Sequence, residues 1–437
     1  MTPKDLEIKC LGDCKIGSPV TLSTTKGDNV LNYVSDDERI LFDVKYNPLS
    51  KSTKAPLTLE LAGPRQHIYF DASKVRVAIV TCGGLCPGIN NVIRSLVMSL
   101  NYRYGVRKVL GVQYGYQGFI SDYKHDFVEL TPKMVSPIHQ FGGTILGSSR
   151  GKQDPEAIVD CLEQHGINIL FTIGGDGTLH GALAIQQAIE RRGLKIAVAG
   201  IPKTIDNDIN HIEKTFGFET SFTVASPIIR DAHNEAKGAY NGVAIVKLMG
   251  RDAGFIAANA ALSMPEVNLV LVPEIDFDLE GEKGFLAVVR ERLDEKHHCL
   301  IVVAEGAGQH LFKAMKERKD ASGNKLHEDI GIFLKEELNS YFKRENFNGT
   351  VKYIDPSYII RSAPANPSDS IFCNKLGIHA VHGAMAGKTG FVVGRRNNKF
   401  VYLPIETVIG ERKEIDPEGD LWLNVIETTG QPMSMKN

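Results

Sequence analysis

Two polar loops, TIGGDGT at Thr172–Thr178 and PKTIDND at Pro202–Asp208, narrow what this chain can become. Each follows a short apolar run, Asn168–Ile173 and Ile196–Ile201, of the length expected for a strand buried on both faces. A helical stretch, Leu179–Arg192, lies between the runs. Strand, helix and strand in that order predict a βαβ crossover. Both loops then fall at the carboxyl ends of parallel strands, where open α/β sheets bind ligands. The first loop sets three glycines around one carboxylate, Asp176. Glycines let a phosphate approach backbone N–H groups, and the positive end of a helix starting at Thr178 favours an anion. The second loop sets Asp206 and Asp208 beside Lys203 and Thr204. The plainer use of two such aspartates is capping of turn N–H groups. A phosphate cradle together with a candidate base, however, is what phosphoryl transfer to a hydroxyl requires.

The 437 residues, 43% of them hydrophobic, suffice for two or three domains. A net charge of −2 carries no footprint of a nucleic-acid or anionic-membrane partner, so phosphate binding has to come from local clusters. No apolar run reaches the ~18 residues of a membrane span. The N-terminus MTPKDLEIKC lacks the apolar core of a secretory signal, and the C-terminal SMKN is no peroxisomal tripeptide. Seven cysteines, an odd number spread over a long chain, point to reduced thiols and a cytoplasmic home. Cys10/Cys14 and Cys82/Cys86 are separated by three residues rather than the two of a zinc knuckle, which argues against a zinc site.

Residues 1–70, rich in Ser, Thr, Asp and Pro, read as an N-terminal arm or small β domain. Val75–Thr81 is a strand running into CGGLCPGINN at Cys82–Asn91 and then a helix to Leu100. That turn suits a phosphate, although GGxxPG is neither a Rossmann nor a Walker pattern. Gly111–Gly118 is another glycine-rich loop, and GGTILGSSRG at Gly142–Gly151 places Arg150 where a guanidinium can meet a phosphate. A long helix, Phe218–Lys237, opens a second α/β round. Strand Val243–Lys247 leads to LMGRD and helix Ala253–Ser263, strand Asn268–Val272 to helix Glu282–Glu295, and strand Leu300–Ala304 to Glu305. Lys352–Ser368 reads as strand and proline-rich loop carrying Lys352, Tyr358 and Arg361. Helix Asp369–Ala386, strand Phe391–Gly394 and a β/α tail follow. The predicted fold class is α/β, with two Rossmann-like three-layer αβα domains and a cleft between them. Residues 71–217 with 360–410 would form the first, and 218–359 with 411–437 the second.

With these motifs placed, the chain resembles the 6-phosphofructokinase family. GGLCPGIN, GSSRG, IGGDGT, PKTIDND, MGRDAG, AEG and the Tyr358–Arg361 segment occur in that family's order between Val75 and Gly390. The long N-terminal extension and the wording YIDPSYIIR look most like the ATP-dependent branch of trypanosomatid and related protist enzymes. The resemblance implies transfer of the ATP γ-phosphoryl group to the 1-hydroxyl of fructose 6-phosphate, a glycolytic step. It implies that Gly84, Arg150, Gly151, Gly175, Asp176, Gly177, Thr178 and Lys203 hold the nucleotide, with Asp176 organising Mg2+. Asp206 would be the base, with Thr204, Asp208 and Arg251 beside it. Met249, Gly250, Arg251, Glu305, Tyr358 and Arg361, along with Thr204 and Asp206, would bind the sugar phosphate, and Lys352 would reach it from a neighbouring subunit. An allosteric homotetramer or dimer without nucleic-acid or membrane partners is the implied assembly.

Donor choice carries a mixed signature. In the family a glycine after the GGD aspartate goes with ATP and an aspartate with pyrophosphate. Gly177 fits ATP, whereas Lys203 resembles the pyrophosphate users. Arg94 is followed by Met98 where bacterial relatives have a second effector-site arginine, so that site does not carry over. Nor does the bacterial neighbour-subunit arginine, replaced here by Gly242. The alternatives are a pyrophosphate-dependent phosphofructokinase, a lipid or NAD kinase with a GGDG loop, and a non-catalytic regulatory subunit. PKTIDND with MGR and EG speaks against the lipid or NAD kinase. Asp176 and Asp206 speak against the regulatory subunit.

Overall fold

The computed structural model describes residues 1–45, 56–312 and 327–437, so part of the expected N-terminal segment, residues 46–55, lies outside the described residues. The chain gathers into two compact units. The first comprises Met1–Thr204, Ile209–Gly217 and Pro367–Glu411, and the second Ile205–Asp208, Phe218–Asn366 and Arg412–Asn437.

Among the described residues, the first unit is built on a nine-stranded sheet. Its order is Arg39–Leu41, Thr58–Leu61, Lys399–Pro404, Phe391–Arg396, Ala197–Pro202, Ile169–Gly174, Arg76–Thr81, Lys108–Val112 and Phe127–Glu129. The inner strands from Phe391–Arg396 to Lys108–Val112 are parallel, and antiparallel strands finish both edges. Every residue of Ile169–Gly174 and Ala197–Pro202 is buried. Covered on both faces, such strands have no reason to alternate apolar with polar residues. Helix Asp176–Arg191 connects these two strands and buries Leu179, Ala182, Ile185, Ala188 and Ile189, spaced as one helical face. The two loops therefore leave adjacent parallel strands at their carboxyl ends.

The N-terminal segment contributes Arg39–Leu41 and Thr58–Leu61 to the edge of this sheet, Glu60 lying opposite Tyr402. Glu60, Arg65 and Lys388 are buried together there. Arg65 Nη2 stands 2.7 Å and Lys388 Nζ 2.5 Å from the same Glu60 oxygen. Asp36 adds a second carboxylate, 2.8 Å from Arg65 Nε and 3.2 Å from Lys388 Nζ.

Among the described residues, the second unit has a four-stranded, wholly parallel sheet in the order Leu269–Leu271, His298–Ala304, Gly242–Leu248, Thr350–Ile354. Its core joins Val243, Ile245, Leu271 and Ile301 of the strands to Phe285, Val289, Leu334 and Leu338 of the helices Phe285–Lys296 and Ile330–Arg344. Leu248 is in register with Ala304, so Met249–Arg251 and Glu305 leave the sheet side by side. Among the described residues no helix is long and apolar enough to cross a membrane.

Removing one partner from a buried ion cluster strands the remaining charges. Glu60→Gln is expected to lower stability to urea by about 3–5 kcal/mol. The exposed pair Lys9–Glu190 is the contrast: Glu190→Gln should change stability by less than about 1 kcal/mol.

Candidate active site

The loop residues of the first unit form a cradle. Helix Asp176–Arg191 starts three residues earlier than its apolar period predicts, because the glycine loop itself winds into the first turn: Thr178 and Leu179 N–H both donate to the Gly175 carbonyl, at 2.9 and 3.0 Å. Gly175 is the N-cap and offers no capping side chain. The glycines here have different reasons to exist. A Cβ on Gly174 would stand 2.1 Å from Thr178 Oγ1, and one on Gly175 would stand 3.2 Å from the Lys203 carbonyl. A Cβ on Gly177 would meet nothing within 4 Å, and its backbone is not left-handed. Neither packing nor backbone demands glycine at 177, so the space it leaves is available to a ligand.

Lys203 follows the strand Ala197–Pro202 and is buried, its ammonium donating to the Gly84 carbonyl at 2.8 Å. A Cβ on Gly84 would lie 3.4 Å from Arg150 Nη2. Gly83 N–H donates to the Ser149 carbonyl and Ser148 Oγ to the Gly83 carbonyl, at 3.0 and 2.5 Å. The CGGLC and GSSRG loops are thereby stitched together, bringing Gly84, Arg150, Gly151 and Lys203 to one place. Asp176 is partly exposed, its carboxylate 3.6 Å from His180 Nε2. The sequence reading missed Tyr116, whose buried hydroxyl donates to the Thr178 carbonyl at 2.8 Å and so braces the first turn of the helix. Thr204 closes this unit's segment, its carbonyl accepting from Thr215 Oγ1 at 2.7 Å.

In the second unit, carboxylates and guanidinium groups converge. Asp206 and Asp208 flank Asn207, which takes φ 59°, a left-handed turn that asparagine tolerates. Asp206 is half-buried, and its Oδ1 is shut off from solvent. Burial, and then the charge of Asp208, push its carboxyl up to about 7. Glu305 adds to the rise, while Arg361 and Arg251 oppose it. The neighbouring strand ends explain this company. Glu305 N–H donates to the Leu248 carbonyl and Gly306 N–H to the Gly250 carbonyl, at 2.9 and 3.0 Å. A Cβ on Gly306 would fall 1.7 Å from the Arg251 carbonyl, so that approach requires glycine.

Arg361 reaches the cluster from a feature the sequence concealed. Residues read as a proline-rich loop contain a helix, Ser357–Ser362. Asp355 starts it by accepting from Ser357 N–H and Oγ, at 3.0 and 2.5 Å. Ala363 ends it in an extended conformation, as a residue preceding a proline prefers. Arg361 Nε contacts the sulfur of buried Met249 at 3.2 Å. Tyr358, on the same helix, is 82% exposed. Lys352 lies opposite Ala244, four residues short of Leu248, and its ammonium pairs with Glu235. Within one chain, Asp206, Asp208, Met249, Gly250, Arg251, Glu305 and Arg361 thus gather, whereas Lys352 stays apart. The arrangement can bind an anion through two guanidinium groups and offers a carboxylate able to exchange a proton near neutral pH.

Residues 76–384 match the family described as Phosphofructokinase. The chain is 50% identical over 440 residues to the ATP-dependent 6-phosphofructokinase of Borreliella burgdorferi, covering 99% of this chain and 98% of that one. It is 46% identical over 378 residues to the protein of the same name from Trypanosoma cruzi, covering 86% of this chain and 77% of that one. A solved structure, the pyrophosphate-dependent phosphofructokinase of Nitrosospira multiformis, superposes with a TM-score of 0.67 at 20% identity, covering 82% of this chain and 92% of that one. At that identity the likeness concerns the fold alone, and it agrees with the expected pair of Rossmann-like α/β domains. The chain belongs to the phosphofructokinase family.

Proposed function

We propose that the protein is an ATP-dependent 6-phosphofructokinase, transferring the γ-phosphoryl group of ATP to the 1-hydroxyl of fructose 6-phosphate. Near full-length identity to enzymes of that name supports the reaction. The observation that carries the chemistry is Asp206, a half-buried carboxylate with one oxygen shut off from solvent and poised near neutrality. Asp206 takes the proton of the sugar hydroxyl as its oxygen attacks the γ-phosphorus; the bond to the bridging oxygen breaks, giving fructose 1,6-bisphosphate and ADP. Arg251 and Arg361 hold the sugar phosphate, with Met249, Gly250, Glu305 and Tyr358 around the sugar and Thr204 and Asp208 beside the base. Gly84, Arg150, Gly151, Lys203 and Gly175–Thr178 receive the nucleotide's phosphates.

Mg2+ is assigned to Asp176. Among the described residues no group of three or more His, Cys, Asp or Glu side chains is arranged to hold a metal. One partly exposed carboxylate fits an ion that keeps its waters and arrives with the substrate's phosphates. When bound, the ion would neutralise those phosphates. A homotetramer or dimer, with Lys352 serving a neighbouring subunit's sugar site, is part of the proposal; Lys352's exposure and its place opposite Ala244, before the strand end, support it. Cytoplasmic location and control by a metabolite belong to the same proposal. The protist-like wording of Tyr353–Arg361 supports kinship with that branch, but the Borreliella relative is more similar than the trypanosome one, so the ATP-using class is proposed without a branch. Lys203 favours one second reading, pyrophosphate as donor.

Asp206→Asn should lower kcat by about 10²–10⁴-fold with both substrates still bound, and turnover near wild type would remove Asp206 as the base. The same variant should gain stability. A carboxyl raised to about 7 contributes stability that is present below pH ~4 and lost as pH rises through ~7, so at pH ~8 the wild type carries a cost that Asn lacks. Thermal melting should place the variant higher at pH ~8 and level with the wild type at pH ~4.

Arg251→Ala and Arg361→Ala should raise the KM for fructose 6-phosphate roughly ten- to a hundredfold while the KM for ATP moves little. The reverse pattern would mean the two half-sites are exchanged.

Gly177→Asp fills open space with a carboxylate where the α-phosphate has to pass, and should abolish most ATP activity without unfolding the protein. kcat/KM for ATP and pyrophosphate, measured side by side in wild type and variant, decides the donor. Efficient pyrophosphate turnover by the wild type would sink the ATP assignment.

A further inference from the structure

Where the chain enters the second unit for the last time, the short segment Arg412–Ile415 is tied to two loops at once. Lys413 N–H donates to the Asp208 carbonyl at 3.0 Å. The Arg412 guanidinium lies 3.9 Å from the Asp208 carboxylate and forms an ion pair with Asp252. Ile415 N–H donates to Glu274 Oε1 at 2.9 Å. The two Glu274 oxygens also receive the Gly254 N–H, at 2.9 and 3.1 Å. One segment therefore braces both the loop of Asp206 and Asp208 and the loop that begins with Met249–Arg251.

We propose that Arg412 is a positioning residue for the base: by facing Asp208 and Asp252 together, it fixes the base loop and limits the negative field under which Asp206 ionises. The proposal rests on Asp206 being the base. Its physical footing is that a guanidinium stays charged throughout the working pH range, and that one nitrogen, Nη1, lies against both carboxylates. Among the charges that act on Asp206, Asp208 and Glu305 oppose its ionisation, and Arg361 and Arg251 favour it. Asp252 is shared with His327, whose Nε2 stands 3.6 Å away. The Lys413 ammonium rests 5.0 Å from the centre of the Phe255 ring. Without Arg412 one counter-charge to Asp208 is lost, and the base holds its proton to higher pH.

The test is the pH profile of kcat/KM for fructose 6-phosphate, measured on the full chain from about pH 5.5 to about pH 9. The wild type should show an acidic limb that levels off above neutrality. Arg412→Gln should move that limb to higher pH by about half a unit, a loss of about threefold on the acidic side that fades on the plateau. Arg412→Lys, which keeps the charge, should return the limb toward its wild-type position. Arg412→Met keeps the apolar stem and takes the place of Arg412→Gln if the latter does not fold. A limb at the wild-type pH in the Gln or Met variant, or an equal loss across the whole range, would overturn the role of Arg412. A wild type inactive on fructose 6-phosphate with either donor would instead overturn the proposed reaction, so the two failures are distinguishable.

Discussion

An enclosed carboxylate beside a second carboxylate is unfavourable, and the second unit is organised around Asp206 in that position. Burial alone would hold the proton too tightly for a base working near neutral pH, and two adjacent guanidinium groups alone would leave a carboxylate too weak to take one. Here both influences are present with Asp208 and Glu305 on one side and Arg361 and Arg251 on the other, and the balance falls at about 7. The fold supplies that balance through parallel strands. Leu248 and Ala304 end in register, so Arg251 and Glu305 arrive as a pair of opposite sign. The helix Ser357–Ser362 then adds Arg361 against Met249.

Glycine plays separate parts at these strand ends. Gly174 and Gly306 are fixed by close neighbours: a side chain at either would collide with Thr178 or with the Arg251 backbone. Gly177 has no neighbour to protect. In one letter the three look alike. Only the distances divide glycines that let the loop fold from one that leaves room for something the chain itself does not contain.

Much of this was legible beforehand because it is local. The long helix Phe218–Lys237 appears with the bounds its period gives, and the apolar runs before the two central loops are buried strands. The resemblance rested on short motifs, and GGLCPGIN, IGGDGT, PKTIDND, MGRDAG and AEG all fall where a buried strand ends. What stayed hidden depends on contacts between distant residues or on competing local signals. The helix around Tyr358 was masked by flanking prolines, and its start depends on one side chain, Asp355. Tyr116 sat in a glycine-rich stretch that reads as a turn, yet its hydroxyl braces Thr178. Arg412 shares no motif with Asp208, and nothing short of the folded chain could have joined them. The N-terminal segment read as an arm or small β domain because its strands are short. Their place follows from pairing with Lys399–Pro404, near the other end of the chain.

That pairing bears on how the protein is made. The strand Thr58–Leu61 has Arg39–Leu41 just before it, but its other partner, Lys399–Pro404, and the Lys388 that pairs with Glu60 are synthesised far later. The sheet of the second unit draws all its strands from one continuous stretch, Gly242–Ile354. Contacts between distant segments form late, since a long loop has to close before they bring any gain. On the ribosome, the Gly242–Ile354 stretch therefore has its strand partners to hand while Thr58–Leu61 still waits for Lys399–Pro404. For Thr58–Leu61, early synthesis goes with late completion of its pairing.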